Sequence, residues 1–367
     1  MQTYKIALLP GDGIGPEIAA EARKVLDALP SDVEFEWTEA PFGGTAYFET
    51  GKAFPEETQK VCDEADAILK GPIGLSKEES EKIPVYEQPE RGALLPLRHR
   101  YDTFANYRPV YLPSALTSFS PLKQKVVGDG IDLLMIRELV GGLYFGPKEE
   151  GTDDQGRRFV REILEYDESQ IARILHVAFQ EARKRKGVLH NVHKGNVLIS
   201  SVLWNQVLDE VASEYEDVEI KHVIVDAAAT ALCLNPNQFD VMVMANMFGA
   251  ILSDLGGGLL GSLGLMPSAC VGPDKSYYEP AHGSAPDIVG QGVANPYSMI
   301  GSVAMMLETS FGLSEESRMV WSALEQVFAD GYATPDLANQ GAGFKALSTS
   351  DFGDEVVKRL TAKPVTA

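Results

Sequence analysis

Apolar residues recur along this chain in two ways, as short continuous runs and as longer stretches with helical spacing. The runs at 4–9 (YKIALL), 66–69 (DAIL), 131–136 (IDLLMI), 188–192 (VLHNV), 221–226 (KHVIVD) and 240–244 (DVMVM) predict buried strands. Strands covered on both faces read as near-continuous apolar segments instead of alternating ones. Helical periods lie at 169–186, 200–215, 297–311 and 316–330, and a helix is expected from Glu17, with Pro16 in its first turn. Strands alternating with long amphipathic helices predict α/β architecture with much parallel sheet.

Two segments break this rhythm. Between 138 and 168 the chain is charged and rich in Gly and Asp, yet carries Leu143-Tyr144-Phe145, which suits an exposed arm or hairpin. Gly256, Gly257, Gly258, Gly261 and Gly264 interrupt an apolar run, so backbone should pack closely or bend there. Residues 363–367 read as a loose tail.

At 367 residues the chain exceeds the size at which one core usually keeps growing, so two domains are expected. The formal charge of −21 disfavours nucleic acid and anionic membrane surfaces as partners. No apolar stretch approaches the ~20 residues of a membrane span. Cys62, Cys233 and Cys270 are far apart and lack metal-ligand spacing, which reads as reduced core thiols. With no basic leader at the start, a cytoplasmic location is expected.

Within so acidic a chain, cations near strand ends carry information. Gly11-x-Gly13-x-Gly15 superficially resembles a dinucleotide loop, but its third glycine comes one residue too early, and a tight strand-to-helix turn is the plainer reading beside a loop whose backbone touches a ligand. Arg98, Arg108 and Arg137 each follow an apolar or aromatic stretch (LPLRHR, ANYRPV, LMIRELVGG). Guanidinium stays charged when desolvated and grips carboxylates in a bidentate manner, although each arginine alone reads as well as a surface ion pair. Lys194 in HKGN follows a strand, Asp226 closes another, and Asp254 lies on a helix entered after 240–244. A partly buried lysine can act as a base, and carboxylates suit Mg²⁺ or Mn²⁺. A turn lysine, a helix N-cap and a solvated aspartate are the plain alternatives. Position 250, one helical turn before Asp254, is alanine.

Taken in order, the blocks LLPGDGIGPE, ERGALLPLR, FANYRP, IRELVGGLYFG, HKGN, VDA, NMFGAILSD, GSLGLMPSA and EPAHGSAPDIVGQGVANP resemble the isocitrate/isopropylmalate dehydrogenase family over nearly the whole chain. The resemblance implies an α/β, two-domain fold of the isopropylmalate-dehydrogenase type, with parallel and mixed sheets flanked by helices, and not a Rossmann fold. It implies a cofactor-side domain of 1–103 plus 261–367, and a substrate, metal and dimerisation domain of 104–260 with an arm at about 138–161. It implies that Arg98, Arg108 and Arg137 clamp a malate moiety, with Leu94, Leu95 and Val197 contacting the substrate. Tyr144 and Lys194 would handle protons, and Asp226 and Asp254 would hold Mg²⁺ or Mn²⁺. The active site would be shared across a homodimer, with Lys194 and Asp226 supplied by the second chain. Ile14, Glu90, Asn196, His282, Gly283, Ser284, Ala285, Asp287, Ile288 and Asn295 would bind the cofactor. A carboxylate at Asp287 would repel the extra phosphate of NADP, which favours NAD.

Gly92-Ala93-Leu94-Leu95 before the first arginine offers apolar surface, whereas isocitrate-type enzymes place a serine and an asparagine there. Such a surface suits a branched alkyl substituent, hence 3-isopropylmalate and leucine biosynthesis. Lys70-Gly71-Pro72 and HKGN look more like the isocitrate side, which leaves isocitrate, homoisocitrate, tartrate, D-malate or a secondary-pathway substrate open. The family pattern has an aspartate at position 250, and Ala250 removes a hard oxygen ligand. An introduced inactivating change, a non-catalytic regulatory subunit and a site retuned for another substrate all fit.

Overall fold

The computed structural model describes residues 2–341 and 343–361, so the tail expected at 363–367 lies outside them. A ten-stranded sheet forms the centre. Its strands are β1 (Gln2–Leu9), β2 (Val33–Glu39), β3 (Ala67–Lys70), β4 (Ala105–Leu112), β5 (Ile131–Glu138), β8 (Val188–His193), β9 (Glu219–Ile224), β10 (Val241–Met244), β11 (Pro267–Val271) and β12 (Ser276–Pro280). The strand order is β2-β1-β3-β12-β11-β4-β5-β10-β8-β9.

Both ends of the sheet are parallel: β2, β1, β3 and β12 at one end, β5, β10, β8 and β9 at the other. Antiparallel pairing of β12 with β11, β11 with β4 and β4 with β5 joins them. The sheet is therefore mixed, as the resemblance implies. Helices Gly15–Asp27, Glu168–Lys184, Ile199–Ala212, Asn246–Leu260, Tyr297–Thr309 and Ser314–Ala329 cover its faces. One large apolar core runs from Ile6 and Leu8 through Val110 and Leu133 to Phe248 and Val303, and a second lies beneath the 168–184 and 199–212 helices.

The segment 138–168 holds a hairpin, β6 (Lys148–Thr152) with β7 (Arg158–Glu162), whose residues are almost all exposed. One expectation needs correction. The apolar run 221–226 is not one strand: β9 ends at Ile224, and Val225 begins a helix, so Asp226 sits in a first helical turn. That helix has no side-chain N-cap bond, so nothing polar marks its start. The close packing expected at the glycines is found: within the Asn246–Leu260 helix a Cβ at Gly256 would overlap Val110 and one at Gly257 would overlap Leu263, while the helix ends at left-handed Gly261, tight against Phe119 O. The three cysteines are free, with Cys62 and Cys270 buried and Cys233 only half-buried.

Candidate active site

The alternation of β4 and β5 decides which side chains share a face of the sheet. Asn106 and Arg108 lie on one face of β4, and Arg137 on β5 pairs across the ladder with Asn106. Asn106 Oδ1 accepts from Arg108 Nε at 3.0 Å, and its amide donates to Ser268 Oγ at 2.8 Å. Arg137 donates from Nε and Nη2 to Asn246 Oδ1 at 3.1 and 2.7 Å. Asn246 opens the helix after β10, and its own amide donates to Gly141 O at 3.0 Å. Gly249, one turn along, has no room for a methyl, because a Cβ there would overlap the aliphatic stem of Arg137. Arg98 comes from the short helix Leu95–Arg100 and donates from Nε to the Tyr277 hydroxyl at 2.9 Å.

All three arginines are buried, at 5%, 5% and 4% exposure for Arg98, Arg108 and Arg137. Burial, then the fields of Arg98 and Arg108, push Arg137 well below the ordinary guanidinium range. A guanidinium nonetheless stays charged in proteins, so the cluster is a cationic site short of an anion. Its carboxylates are two. Glu279 bonds Lys70 Nζ at 2.7 Å and lies 3.7 Å from Arg98, while Asp254 lies 3.5 Å from Arg108 at the exposed rim. Burial raises Glu279, but Lys70, Arg98 and Arg108 outweigh it and hold the carboxyl down at about 2. Lys70 and the three arginines thus exceed Glu279 and Asp254 by two positive charges, the charge of a dicarboxylate with opposite sign.

Tyr144, in the turn Gly142–Tyr144, sits with its ring centroid 5.7 Å from the Arg137 guanidinium carbon. Ala250 lies one turn before Asp254 on the same helix, and Ser253 links the two regions by accepting from Arg108 at 3.2 Å and donating to Ala250 O at 3.2 Å. Leu94 and Leu95 are half-buried just before Arg98.

Lys194 and Asp226 stand apart. They bond each other at 2.6 Å, with side chains 26% and 68% exposed. Lys194 holds the Asp226 carboxyl below the usual carboxylate range. They follow β8 and β9, beyond β10 from the arginines, and among the described residues no hydrogen bond or ion pair links them to the cluster. Asn196 and Val197 are exposed beside Lys194. Among the described residues of one chain, no group of three His, Cys, Asp or Glu side chains could hold a metal ion.

The 282–288 segment leaves β12 three residues after Glu279 and meets the first glycine loop. Ile14 N donates to Ser284 O at 2.9 Å, and Gly13, at φ +58°, packs so closely on Ser284 that a Cβ would overlap its carbonyl. Asp12, which the sequence analysis did not single out, fastens this region: it is buried and accepts from the backbone of Gly44, Thr45 and Gly74 at 3.0, 2.7 and 3.0 Å. Ser284 Oγ and Glu90 Oε1 both flank Gly74. His282 bonds Ser298 Oγ at 3.0 Å, and burial lowers it further into its neutral form. Ala285 takes a left-handed φ of +43°, Gly283 and Asp287 are exposed, and Ile288 is half-buried. Asn295 Nδ2 donates to Asp336 at 3.2 Å.

Asn106, Asn246, Ser253, Tyr277 and Glu279 also escaped the sequence analysis. The i, i+2 spacing of Asn106 and Arg108 was the one local signal available for them.

The profile of the isocitrate/isopropylmalate dehydrogenase family matches residues 5–356. The chain is 47% identical over 363 residues to a 3-isopropylmalate dehydrogenase of Geobacter sulfurreducens, covering 98% of this chain and 99% of that one. It is 48% identical over 358 residues to a 3-isopropylmalate dehydrogenase of Thermotoga maritima, covering 97% and 99%. The solved isocitrate dehydrogenase of Methylococcus capsulatus superposes with a TM-score of 0.86 at 33% identity, covering 98% of this chain and 100% of that one. A β-decarboxylating dehydrogenase of Thermococcus kodakarensis gives 0.77 at 32%, covering 97% and 96%.

Proposed function

Because the chain belongs to the isocitrate/isopropylmalate dehydrogenase family and is a decarboxylating dehydrogenase, we propose that it acts on a 3-substituted (2R)-malate, best matched by 3-isopropylmalate, with NAD. The observation that carries this reading is the buried Arg98, Arg108 and Arg137 cluster with two uncompensated positive charges. Two carboxylates of one small substrate would satisfy it with charge-assisted bonds. Leu94 and Leu95 favour an alkyl group at C3 over a third carboxylate, because an unpaired charge beside them would lose its hydration.

In this reading NAD, when bound, would supply the hydride acceptor for C2 of the substrate, and oxidation there would set a ketone beta to the carboxylate that is lost. Arg98, Arg108 and Arg137 fix the dianion, Lys194 takes the C2 hydroxyl proton, and Tyr144 returns a proton to the enol carbon. Asp287, Glu90, Ser284 and Asn295 would border the cofactor, Ile14, His282, Gly283, Ala285 and Ile288 would wall it, and Asn196, beside Lys194, would reach it. We place 1–103 plus 261–367 and 104–260 in separate lobes, with β11 and β4 meeting at their boundary.

Lys194 and Asp226 complete the site only when a second copy contributes them. Exposed Val197, Ile199, Val202 and Ile251, with Val160 and Ile163 on the arm, support a second copy covering this face. Asp254 and the second copy's Asp226 would offer oxygens to Mg²⁺ or Mn²⁺. Ala250 leaves that set one carboxylate short, so the residues present do not fit an intact metal site.

The test is NADH formation, followed by absorbance, from a panel of 3-substituted malates with Mn²⁺, for the chain and its Ala250→Asp variant side by side. Restoring the carboxylate is expected to raise turnover on 3-isopropylmalate roughly 10-fold or more. If the variant neither turns over nor binds any 3-substituted malate, the substrate assignment is wrong. Ala250 also favours a second reading, a non-catalytic regulatory subunit, which predicts dianion binding without turnover even after restoration.

A further inference from the structure

The strand that presents Arg108 on one face of the sheet presents Tyr107 and Tyr111 on the opposite face. There a cleft of about 680 Å³ opens between the 168–184 helix on one side and the 297–309 and 314–329 helices on the other. Its size falls within the range of small-molecule sites. Its chemistry is the reverse of the arginine face. Tyr107, Tyr111, Tyr297 and Trp321 supply aromatic surface, and Glu181, Glu308 and Glu325 ring it.

The ion pairs in this cleft leave charge uncompensated. Lys184 pairs with Glu181 at 2.7 Å, and Arg185 pairs with Asp132 at 2.7 Å and with Asp240 at 2.9 Å. Glu325 has only the neutral Tyr111 hydroxyl, at 2.8 Å, and Glu308 only the Ser314 hydroxyl, at 3.0 Å. Neither has a cationic partner among the described residues. A second observation is independent of the carboxylates. The Tyr297 side chain is held in the core, 2% exposed, yet lines the cleft with a hydroxyl that bonds no described residue, so a fixed polar group is free to meet a ligand there.

We propose that this back cleft binds a small organic cation, an ammonium group carrying an aromatic or compact apolar body. The ammonium would lie between Glu308 and Glu325, its apolar part against Trp321 and Tyr107, and the Tyr297 hydroxyl would accept one of its N–H donors. Desolvated cations over aromatic rings and beside carboxylates gain on both counts. The site is independent of the dehydrogenase reading, so its test requires no turnover.

The probe is phenethylammonium, with 2-phenylethanol as its neutral counterpart, titrated calorimetrically into the full-length protein at low salt. Saturable binding with Kd on the order of 1 mM or tighter is expected for the cation, at least about tenfold tighter than for the alcohol. Glu325→Gln is expected to weaken the cation about tenfold and leave the alcohol unchanged, and Tyr297→Phe to weaken it several-fold. Should Glu325→Gln fail to fold, Glu308→Gln tests the same wall. Equal affinity for amine and alcohol, no saturable binding, or full affinity in folded Gln and Phe variants would each overturn the proposal.

Discussion

Two charged clusters of this molecule contain the same kinds of group and behave in opposite ways. Arg98, Arg108 and Arg137 are buried, positioned by neutral amides and a phenol, and left with excess charge. Asp226 is exposed and Lys194 half-buried; they pair with each other and bond none of the arginines. The difference lies in what supplies the neutralising partner. In the first, the fold withholds it, so the site is poised for an anion. In the second, the partner is already present and water screens what remains. One chain therefore finishes the dianion-binding part of the proposed site, with Tyr144 beside it, and leaves Lys194 and Asp226 apart from it.

The sharpest way to break this contrast is to remove the one buried carboxylate that makes the arginine cluster tolerable. Glu279→Gln leaves Lys70 and Arg98 buried without a full counter-charge, and breaking such a network is expected to destabilise the fold by about 3–5 kcal/mol. Urea denaturation at neutral pH measures it. The pH dependence follows with a definite sign. The Glu279 carboxyl is held at about 2, below its ordinary 4.5. Its stabilisation is thus fully present above 4.5 and is lost as pH falls from there toward 2. The Gln variant should lack that component of acid destabilisation. An unchanged acid limb would mean that Glu279 does not support the arginines.

A smaller effect is expected from Arg137→Met, which keeps length and removes charge. Dianion affinity should fall about tenfold to a hundredfold, the worth of one charged hydrogen-bonded contact. The ligand-free fold should lose less, roughly 1 kcal/mol or under, because relief of repulsion from Arg98 and Arg108 offsets the two bonds lost to Asn246. Calorimetry with 3-isopropylmalate and urea denaturation give the two numbers. Equal losses in both would show that Arg137 is a packing residue and not part of an anion site.

What could be seen in the sequence follows from how each strand is buried. β5 and β10 are covered on both faces, so IDLLMI and DVMVM stand out. β4 reads ANYRPVYL, with Asn106 and Arg108 on one face and tyrosines on the other, and has no apolar run to mark it. β2, β11 and β12 escaped as well, being half-exposed or mixed with Ser, Tyr and Glu. At the site, arginines and aspartates are visible as residue types. The groups that orient them come from far along the chain: Asn246 is 109 positions from Arg137, and Tyr277 is 179 from Arg98. No local pattern encodes such a meeting, and a neutral Asn or Tyr does not stand out against the chain's charge.

The smallest structural effect belongs to the other side of the contrast. Lys194→Ala and Asp226→Ala, singly or together, are expected to leave the denaturation midpoint of the chain unchanged, since an exposed pair exchanges one solvated state for another. Turnover should behave differently if Lys194 is the base of the proposed site, falling by about 10²-fold or more, with substrate affinity nearly retained because the arginines remain. Mixing Lys194→Ala with an Arg137→Met chain then separates shared from self-contained sites. If a second copy supplies the lysine, mixed dimers hold one site with both defects and one with neither, and activity partly returns. If each chain uses its own Lys194, every site keeps one defect and mixing restores nothing.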